Sequence, residues 1–194
     1  MANKVQFGLK NVHYAVLTET PNALPTWATP VAVKGAVTLE LSHETAENNF
    51  YADNTTYYRT MFNNGYTGSL EMALIPDAML EDVWGFGHDT TNNLVYEDAN
   101  AEAKPFALLF QFEGDTTETL FCLYRCFGSR PQVASATTNE SGATPQTQTI
   151  DLTVLPVVDP TGTNIDGKVY VKTDENTDAA IKTAWFNAVF TAIQ

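Results

Sequence analysis

The stretch from Tyr66 to Gly85, YTGSLEMALIPDAMLEDVWG, constrains the fold more than any other part of the chain. Its first half alternates apolar with small, polar or acidic side chains, which predicts a strand with one buried and one wet face. Pro76 ends this strand, and Asp77 is predicted to cap a short helix. The predicted core-facing side chains are Tyr66, Leu70, Met72 and Leu74 of the strand and Met79, Leu80, Val83 and Trp84 of the helix.

Strand signals dominate the rest of the chain. They fall at Lys4 to Leu9, His13 to Thr18, Val33 to Ser42, a hairpin PFALLFQFEGDTTETLFCLYRCFG, residues 147 to 155 and KVYVKT. In the hairpin, Phe106, Leu108, Phe110 and Phe112 share one face. From Asp178, DAAIKTAWFNAVF has a capping residue and helical spacing. We therefore expect a mainly β chain, a single domain over residues 1–194 with terminal arms.

Residues 43 to 65, HETAENNFYADNTTYYRTMFNNG, carry aromatics without a sustained period. We interpret them as a long loop joining the strands 33–42 and 66–75. A connection of this length inside a compact domain is usually functional or disordered. Five aromatic side chains in one connection favour function, since disordered segments are poor in aromatic residues. Residues 134 to 146 are predicted to be a second loop.

Composition limits the partners of the chain. Ten basic against 23 acidic residues give a formal net charge of −13, which argues against any protein that grips phosphate backbones. We expect no membrane span, and the first residues lack the apolar core of a secretion signal. Cys122 and Cys126, four apart on one predicted strand, would lie about 13 Å apart at ~3.3 Å per residue, too far to bridge. They are expected to be free, buried thiols made in a reducing cytoplasm.

No residue set in the sequence nominates a reaction. His13, His43 and His88 are isolated, and nucleophile elbows, phosphate loops and dinucleotide fingerprints are missing. The acidic pairs Glu81–Asp82, Glu97–Asp98 and Asp174–Glu175 are neighbours whose side chains point apart, as is expected by chance in so acidic a chain. The loop DPTGTNIDG has calcium-ligand types at Asp159, Asn164 and Asp166 but lacks the full calcium-loop spacing. We expect neither an enzyme nor a cofactor.

Taken in order, several segments resemble the major tail protein family of long, non-contractile tailed bacteriophages. They are KVQFGLKNVHYAVLTE, GAVTLELS, FYADN, NNGYTGSLEMALIPDAMLEDVWG, KPFALLFQFEGD, LYRCFGSRP, PQTQTIDLTV and WFNAVF, and together they cover most of the chain. The resemblance implies a β-sandwich of the tail tube type with a flanking helix, a long inter-strand loop and a C-terminal helix or arm. It also implies homo-hexameric rings that stack into a hollow tube through which DNA leaves the capsid.

The resemblance gives the two predicted surfaces their roles. The polar face of the strands 33–42 and 66–75 would line the lumen, where its carboxylates repel DNA so that DNA passes without specific binding. The aromatic loop would contact the neighbouring ring. The lumen candidates are Thr38, Glu40, Ser42, Thr67, Ser69 and Glu71, and the ring-stacking candidates are Phe50, Tyr51, Tyr57, Tyr58, Arg59 and Phe62. Implied partners are the tape-measure, tail terminator and distal tail proteins, in a virion tail assembled in the host bacterial cytoplasm.

Alternatives stay open for both the lumen and the function. Thr149, Asp151 and Thr153 have the same polar pattern as the chosen face, and so do Ala107, Gln111 and Glu113. A carbohydrate-binding β-sandwich is the rival of another class, with Trp27, Tyr57 and Tyr58 as its aromatic platform. Within the virion, a tail terminator, a capsid decoration protein or the tube of a contractile device would suit the same features.

Overall fold

A computed structural model describes residues 7–114, 118–135, 137 and 145–193. Nearly half of them lie in antiparallel strands. The strands are β1 Phe7–Thr18, β2 Thr26–Trp27, β3 Val31–Ala32, β4 Ala36–Ala52, β5 Thr55–Met72, β6 Gly87–Asp89, β7 Leu94–Tyr96, β8 Phe106–Glu113, β9 Leu120–Gly128, β10 Gln148–Val154 and β11 Tyr170–Lys172. The helices are α1 Asp77–Trp84 and α2 Ala179–Ala184.

Most of the strands join in one large sheet with the order β2-β1-β8-β9-β10-β5-β4, and β6 and β7 form a separate pair. Strand β3 pairs with β1, and β9 divides its outer edge between two partners. Its residues Cys126 to Gly128 pair with β10, whereas Phe121 to Leu123 pair with β11. The sheet divides into two layers at this point. Strands β10, β5 and the first half of β4 form one layer, which packs over the layer of β1, β8 and β9. The predicted mainly β sandwich with a flanking helix is confirmed.

The main core lies between these layers. Its side chains come from alternate positions of β8 and β10 and from α1: Phe106, Leu108, Phe110, Ile150, Leu152, Val154, Met79, Val83 and Trp84. Trp84 is fully buried, and its indole N–H donates to the carbonyl of Gly128 at 3.0 Å. The predicted shared face of β8 and the core-facing side of α1 are therefore confirmed, apart from Leu80, which is only half-buried.

A second core covers the opposite face of β8 and β9. Ala107, Leu109, Cys122 and Tyr124 pack there beneath Trp185 from the C-terminal segment. The hydroxyl of Tyr124 donates to the carbonyl of Phe190 at 2.6 Å and holds that segment in place. Because β8 and β9 are buried on both faces, their sequence is a near-continuous apolar run.

The two cysteines are free and fully buried, as predicted. They point to opposite sides of the sheet although they are four residues apart. A register shift in the β8–β9 ladder sets three residues of β9 against two of β8 between Leu123 and Cys126, and this reverses the alternation of side chains. Cys122 therefore packs in the second core and Cys126 in the main core. Burial raises the pKa of both thiols, which keeps them protonated.

The predicted loop at 43–65 is wrong. Strands β4 and β5 continue through it as one long hairpin whose turn is Asp53–Asn54. Both turn residues have positive φ, 50° and 60°, as a type I′ hairpin turn requires and as Asp and Asn tolerate. No hydrophobic period marks these residues, since a projecting two-stranded ribbon has no buried face to impose one.

Several element ends also differ from prediction. The two N-terminal runs form one strand with an irregularity near Asn11, whose φ is 54°, and residues 4–6 lie outside the described range. Pro76 occupies the N-cap position of α1 without a capping side chain, and Asp77 is the first helical residue, so the predicted capping role of Asp77 is wrong. Strand β5 ends at Met72, three residues short of the predicted end at residue 75, and Leu74 beyond it is exposed.

The C-terminal helix is shorter than predicted. Asp178 does cap it, since its carboxylate accepts from the N–H of Ala180 at 2.8 Å, but the helix ends at Ala184. Trp185 then turns into the second core. Of the predicted loop 134–146, only residues 134, 135, 137, 145 and 146 are described, so most of that prediction lies outside the described residues.

Candidate functional site

The β4–β5 ladder places the six predicted lumen residues side by side. Thr38 lies opposite Glu71, Glu40 opposite Ser69, and Ser42 opposite Thr67. Residues directly opposite in an antiparallel ladder share a face, so all six side chains point to the same side of the sheet. The structure therefore brings the predicted residues together, while their place in a lumen stays a prediction.

Strand β10 adds a third member to each pair. Thr149 lies opposite Glu71, Asp151 opposite Ser69, and Thr153 opposite Thr67. Thr149, Asp151 and Thr153, the first alternative set of lumen candidates, thus extend the polar side of β4 and β5 instead of competing with it. The polar face, as we call it, consists of Thr38, Glu40, Ser42, Thr67, Ser69, Glu71, Thr149, Asp151 and Thr153.

The ionisable groups of the polar face are all acidic: Glu40, Glu71 and Asp151. Thr147 donates to one carboxylate oxygen of Glu71 at 2.5 Å, and Thr38 donates to the other at 2.9 Å. These two hydrogen bonds lower the pKa of Glu71, because they favour its charged form. The bond from Thr147 has the larger effect. The polar face therefore combines short Ser and Thr side chains with carboxylates, and it carries negative charge at neutral pH.

The main core fixes which way the polar face points. Leu70, Ile150 and Leu152 alternate with its residues and are buried on the other side of the sheet. A slip of one residue would bring the carboxylates into the core and the leucines into water, so the register is strongly specified. Gly68 adds a steric constraint, since a Cβ there would lie 1.8 Å from the carbonyl oxygen of Glu40.

The other alternative lumen strand, β8, is excluded by burial. Ala107 is fully buried and Gln111 is 6 % exposed, both on the side that the second core covers. The amide oxygen of Gln111 accepts from the side chain of Asn11 at 2.9 Å. Of this set only Glu113, at the end of the strand, is exposed.

Beyond the polar face the hairpin continues as a projection, residues 44–65, which we call the arm. The six predicted stacking residues all lie on it and are exposed: Phe50, Tyr51, Tyr57, Tyr58, Arg59 and Phe62. Phe50 lies opposite Tyr58, and Arg59 forms an ion pair with Glu47 across the ribbon. Tyr57 is 73 % exposed and Tyr51 65 %, which is unusual for side chains of this size.

Sequence reasoning missed an apolar groove at the open end of the sandwich, with a volume of about 320 Å³. We call it the groove. It is lined by Leu39, Leu41, Tyr66, Phe110, Phe112, Phe121, Leu123 and Tyr170. The groove could not be found from a pattern, because its walls come from five strands that are distant in sequence.

The loop with calcium-ligand residue types at Asp159, Asn164 and Asp166 satisfies the carboxylate of Asp159 with its own hydrogen-bond donors. Asp159 is 4 % exposed and accepts hydrogen bonds from the backbone and hydroxyl groups of Thr161 and Thr163. Burial raises the pKa of Asp159, but these bonds outweigh it and lower the value to about 2. Among the described residues, no group of three or more His, Cys, Asp or Glu side chains is placed to hold a metal ion.

The three histidines lie in different surroundings. His13 stacks on Phe186, His43 meets Asn63 and Tyr66, and His88 lies 3.5 Å from Glu81. Trp27, one of the three aromatics of the alternative sugar-binding platform, donates its indole N–H to the carbonyl of Tyr124 at 2.9 Å and packs on the second core. It is therefore held away from Tyr57 and Tyr58 at the end of the arm.

In the described part of the chain, no helix is long and apolar enough to cross a membrane.

Comparison with known proteins gives structural likenesses only. No protein-family model matches the chain, and no curated protein matches its sequence. A chain of the anti-feeding prophage baseplate is 9 % identical, covering 91 % of this chain and 99 % of that one, with a TM-score of 0.46. A chain of the sheath/tube terminator of the extracellular contractile injection system PVC is 10 % identical, covering 89 % and 100 %, with a TM-score of 0.40.

A third likeness is to the tube-terminating cap of the anti-feeding prophage. The identity is 11 %, the cover is 89 % of this chain and 94 % of that one, and the TM-score is 0.36.

Proposed function

We propose that this chain is a structural virion protein, the subunit of a phage tail tube, and has no enzymatic role. Six copies form a ring, and rings stack into a hollow tube through which DNA is delivered. The observation that carries the proposal is that one continuous hairpin, β4–β5, bears both the anionic polar face with its short Ser and Thr side chains and a projecting arm of exposed aromatics. The tube is built in the host bacterial cytoplasm with the tape-measure, terminator and distal tail proteins.

The polar face supports the lumen role. A bore for DNA must let a polyanion slide without holding it, and repeated carboxylates repel the phosphate backbone. None of the nine residues of the polar face is basic. Serine and threonine keep the bore wide, because their side chains are short.

The arm and the sheet edge support assembly. Large aromatic side chains in water are a liability on a monomer and an asset in an interface. Strand β4 ends the order of the main sheet, so its outer edge presents backbone groups over a 17-residue strand. Pairing between copies around a closed ring removes such edges.

Electron microscopy and sedimentation of the purified chain over a concentration series test the proposal, at low and at high salt. Hollow tubes with six-fold rings are expected. Single rings that never stack would instead indicate a terminator. Monomers under every condition, above all if they bind a glycan array, would contradict the tube role.

A matched pair of variants makes this test specific to the arm. Tyr51→Ser/Tyr57→Ser/Tyr58→Ser removes exposed rings and should abolish stacking while circular dichroism stays unchanged. Leu94→Ser/Tyr96→Ser removes apolar side chains of similar exposure from the separate β6–β7 pair and should leave assembly intact. Equal loss in both variants would show that the arm has no special part.

A further inference from the structure

We infer that the groove of one copy receives the aromatic end of the arm of a second copy. This inference rests on the proposed function and goes further, since it names the receiving surface. The arm-to-groove contact is therefore heterologous, because it joins two different surfaces: the arm of one copy and the groove of another.

The groove lies between two walls of the sandwich. One wall is the inner side of the hairpin base, with Leu39, Leu41 and Tyr66, and the facing wall is β8 and β9. Within the facing wall, Phe110 and Phe121 stack at 5.2 Å between ring centroids. Tyr170 of β11 stands at the lip, 42 % exposed and 6.1 Å from the ring of Tyr66.

The end of the arm has the matching chemistry. Phe50, Tyr51, Tyr57 and Tyr58 surround the turn, and the rings of Phe50 and Tyr57 meet edge to face at 6.5 Å. Aromatic side chains prefer such edge-to-face and offset contacts with other rings. Seating them among the phenylalanines of the groove removes apolar surface from water on both partners, which favours the contact.

The arm cannot reach the groove of its own chain. Tyr51 lies ten residues beyond Leu41 on β4. At ~3.3 Å per strand residue, this separates the end of the arm from the groove wall by about 33 Å. The ribbon is paired along this length, so an arm that enters the groove belongs to another copy.

Charge predicts how the contact responds to salt. Copies with a net charge of −13 repel each other, whereas the arm-to-groove contact itself is apolar. Screening weakens repulsion between exposed charges. Association should therefore strengthen as salt is raised, the reverse of an interface made of ion pairs.

Disulfide trapping tests the contact. Tyr57→Cys protein is mixed with Tyr170→Cys protein at high salt and oxidised, and a mixed dimer is expected on non-reducing gels. The native thiols do not interfere, since Cys122 and Cys126 are buried with raised pKa. The matched control pairs Tyr57→Cys with Leu94→Cys, an exposed site away from the groove, and should give no mixed dimer.

A photo-cross-linking residue at position 57 provides a second measurement that does not depend on cysteine geometry. Cross-links to peptides containing residues 106–123 or 170 of another copy support the inference. Tubes whose cross-links map to a different surface, or a groove found filled by residues 1–6 of its own chain, would overturn the inference and leave the tube role standing. Absence of both cross-links and tubes would overturn both.

Discussion

Thr38 of β4 lies directly opposite Glu71 of β5, and its hydroxyl donates a 2.9 Å hydrogen bond to the Glu71 carboxylate. Thr147 binds the other oxygen of the same carboxylate. The three side chains tie β4, β5 and the approach to β10 together at one edge of the polar face.

This relationship predicts a pH response. Because the pKa of Glu71 is lowered in the folded chain, its contribution to stability is present above the ordinary glutamate pKa and is lost as pH falls through the folded value. Thr38→Val/Thr147→Val should raise the Glu71 pKa, measured by NMR titration of its carboxyl carbon. Thr67→Val, on the same face but in the row of Ser42 and Thr153, is the control. An unchanged Glu71 titration in the double variant would contradict the assigned cause.

Gly68 predicts a steric effect on the hairpin. Its Cβ would lie 1.8 Å from the backbone oxygen of Glu40, so Gly68→Ala must force β4 and β5 apart. Overpacking of this kind costs about 1–3 kcal/mol in the free energy of unfolding. Ser69→Ala, the next residue, faces the polar side and should change stability by less than about 0.5 kcal/mol. Chemical denaturation measures both, and equal stabilities would refute the close approach.

The strands with one buried face could be predicted from the sequence. The segment at 66–72 and β10 alternate because leucine and isoleucine on one side meet the main core. The arm could not be predicted in this way, because neither of its faces meets a core that would select a period. Its one local signal was Asp53–Asn54, a pair that tolerates the positive φ of a hairpin turn.

The candidate surfaces were predictable to different degrees. The six polar residues follow from alternation alone, but their cross-strand pairing with β10 depends on a ladder that joins residues some eighty positions apart. The groove depends on how the sheet divides at β9, where β10 and β11 pair with different halves of one edge. Such tertiary divisions leave no periodic trace in a single sequence.

Asp159 predicts a second, independent pH response. Its folded pKa of about 2 lies below the ordinary aspartate value of about 3.9, so its contribution to stability is present above pH ~4 and is lost as pH falls toward 2. Asp159→Asn should lower the unfolding midpoint at pH 7, and the difference from the unchanged chain should shrink over that window. Glu175→Gln, on an exposed turn, is the control. A difference that stays constant from pH 7 to pH 2 would contradict the role of the charged form.

Charge reversal on the polar face tests the lumen assignment. Glu40 and Asp151 flank Ser69 in one row of the ladder, and neither takes part in the hydrogen bonds that hold Glu71. Glu40→Lys/Asp151→Lys should therefore leave the fold and tube assembly intact. In the tube, the added ammonium groups would bind the phosphates of passing DNA.

The measurement is DNA delivery by virions whose tails contain the variant, with tail number counted by electron microscopy. Delivery should fall at unchanged tail number and recover in part at higher salt, because phosphate contacts weaken as salt rises. Glu40→Gln/Asp151→Gln removes the same carboxylates without adding positive charge and should deliver DNA far better than the lysine variant. Normal delivery by the lysine variant would show that the polar face lies outside the bore, because lysines on an outer surface never meet the DNA in transit.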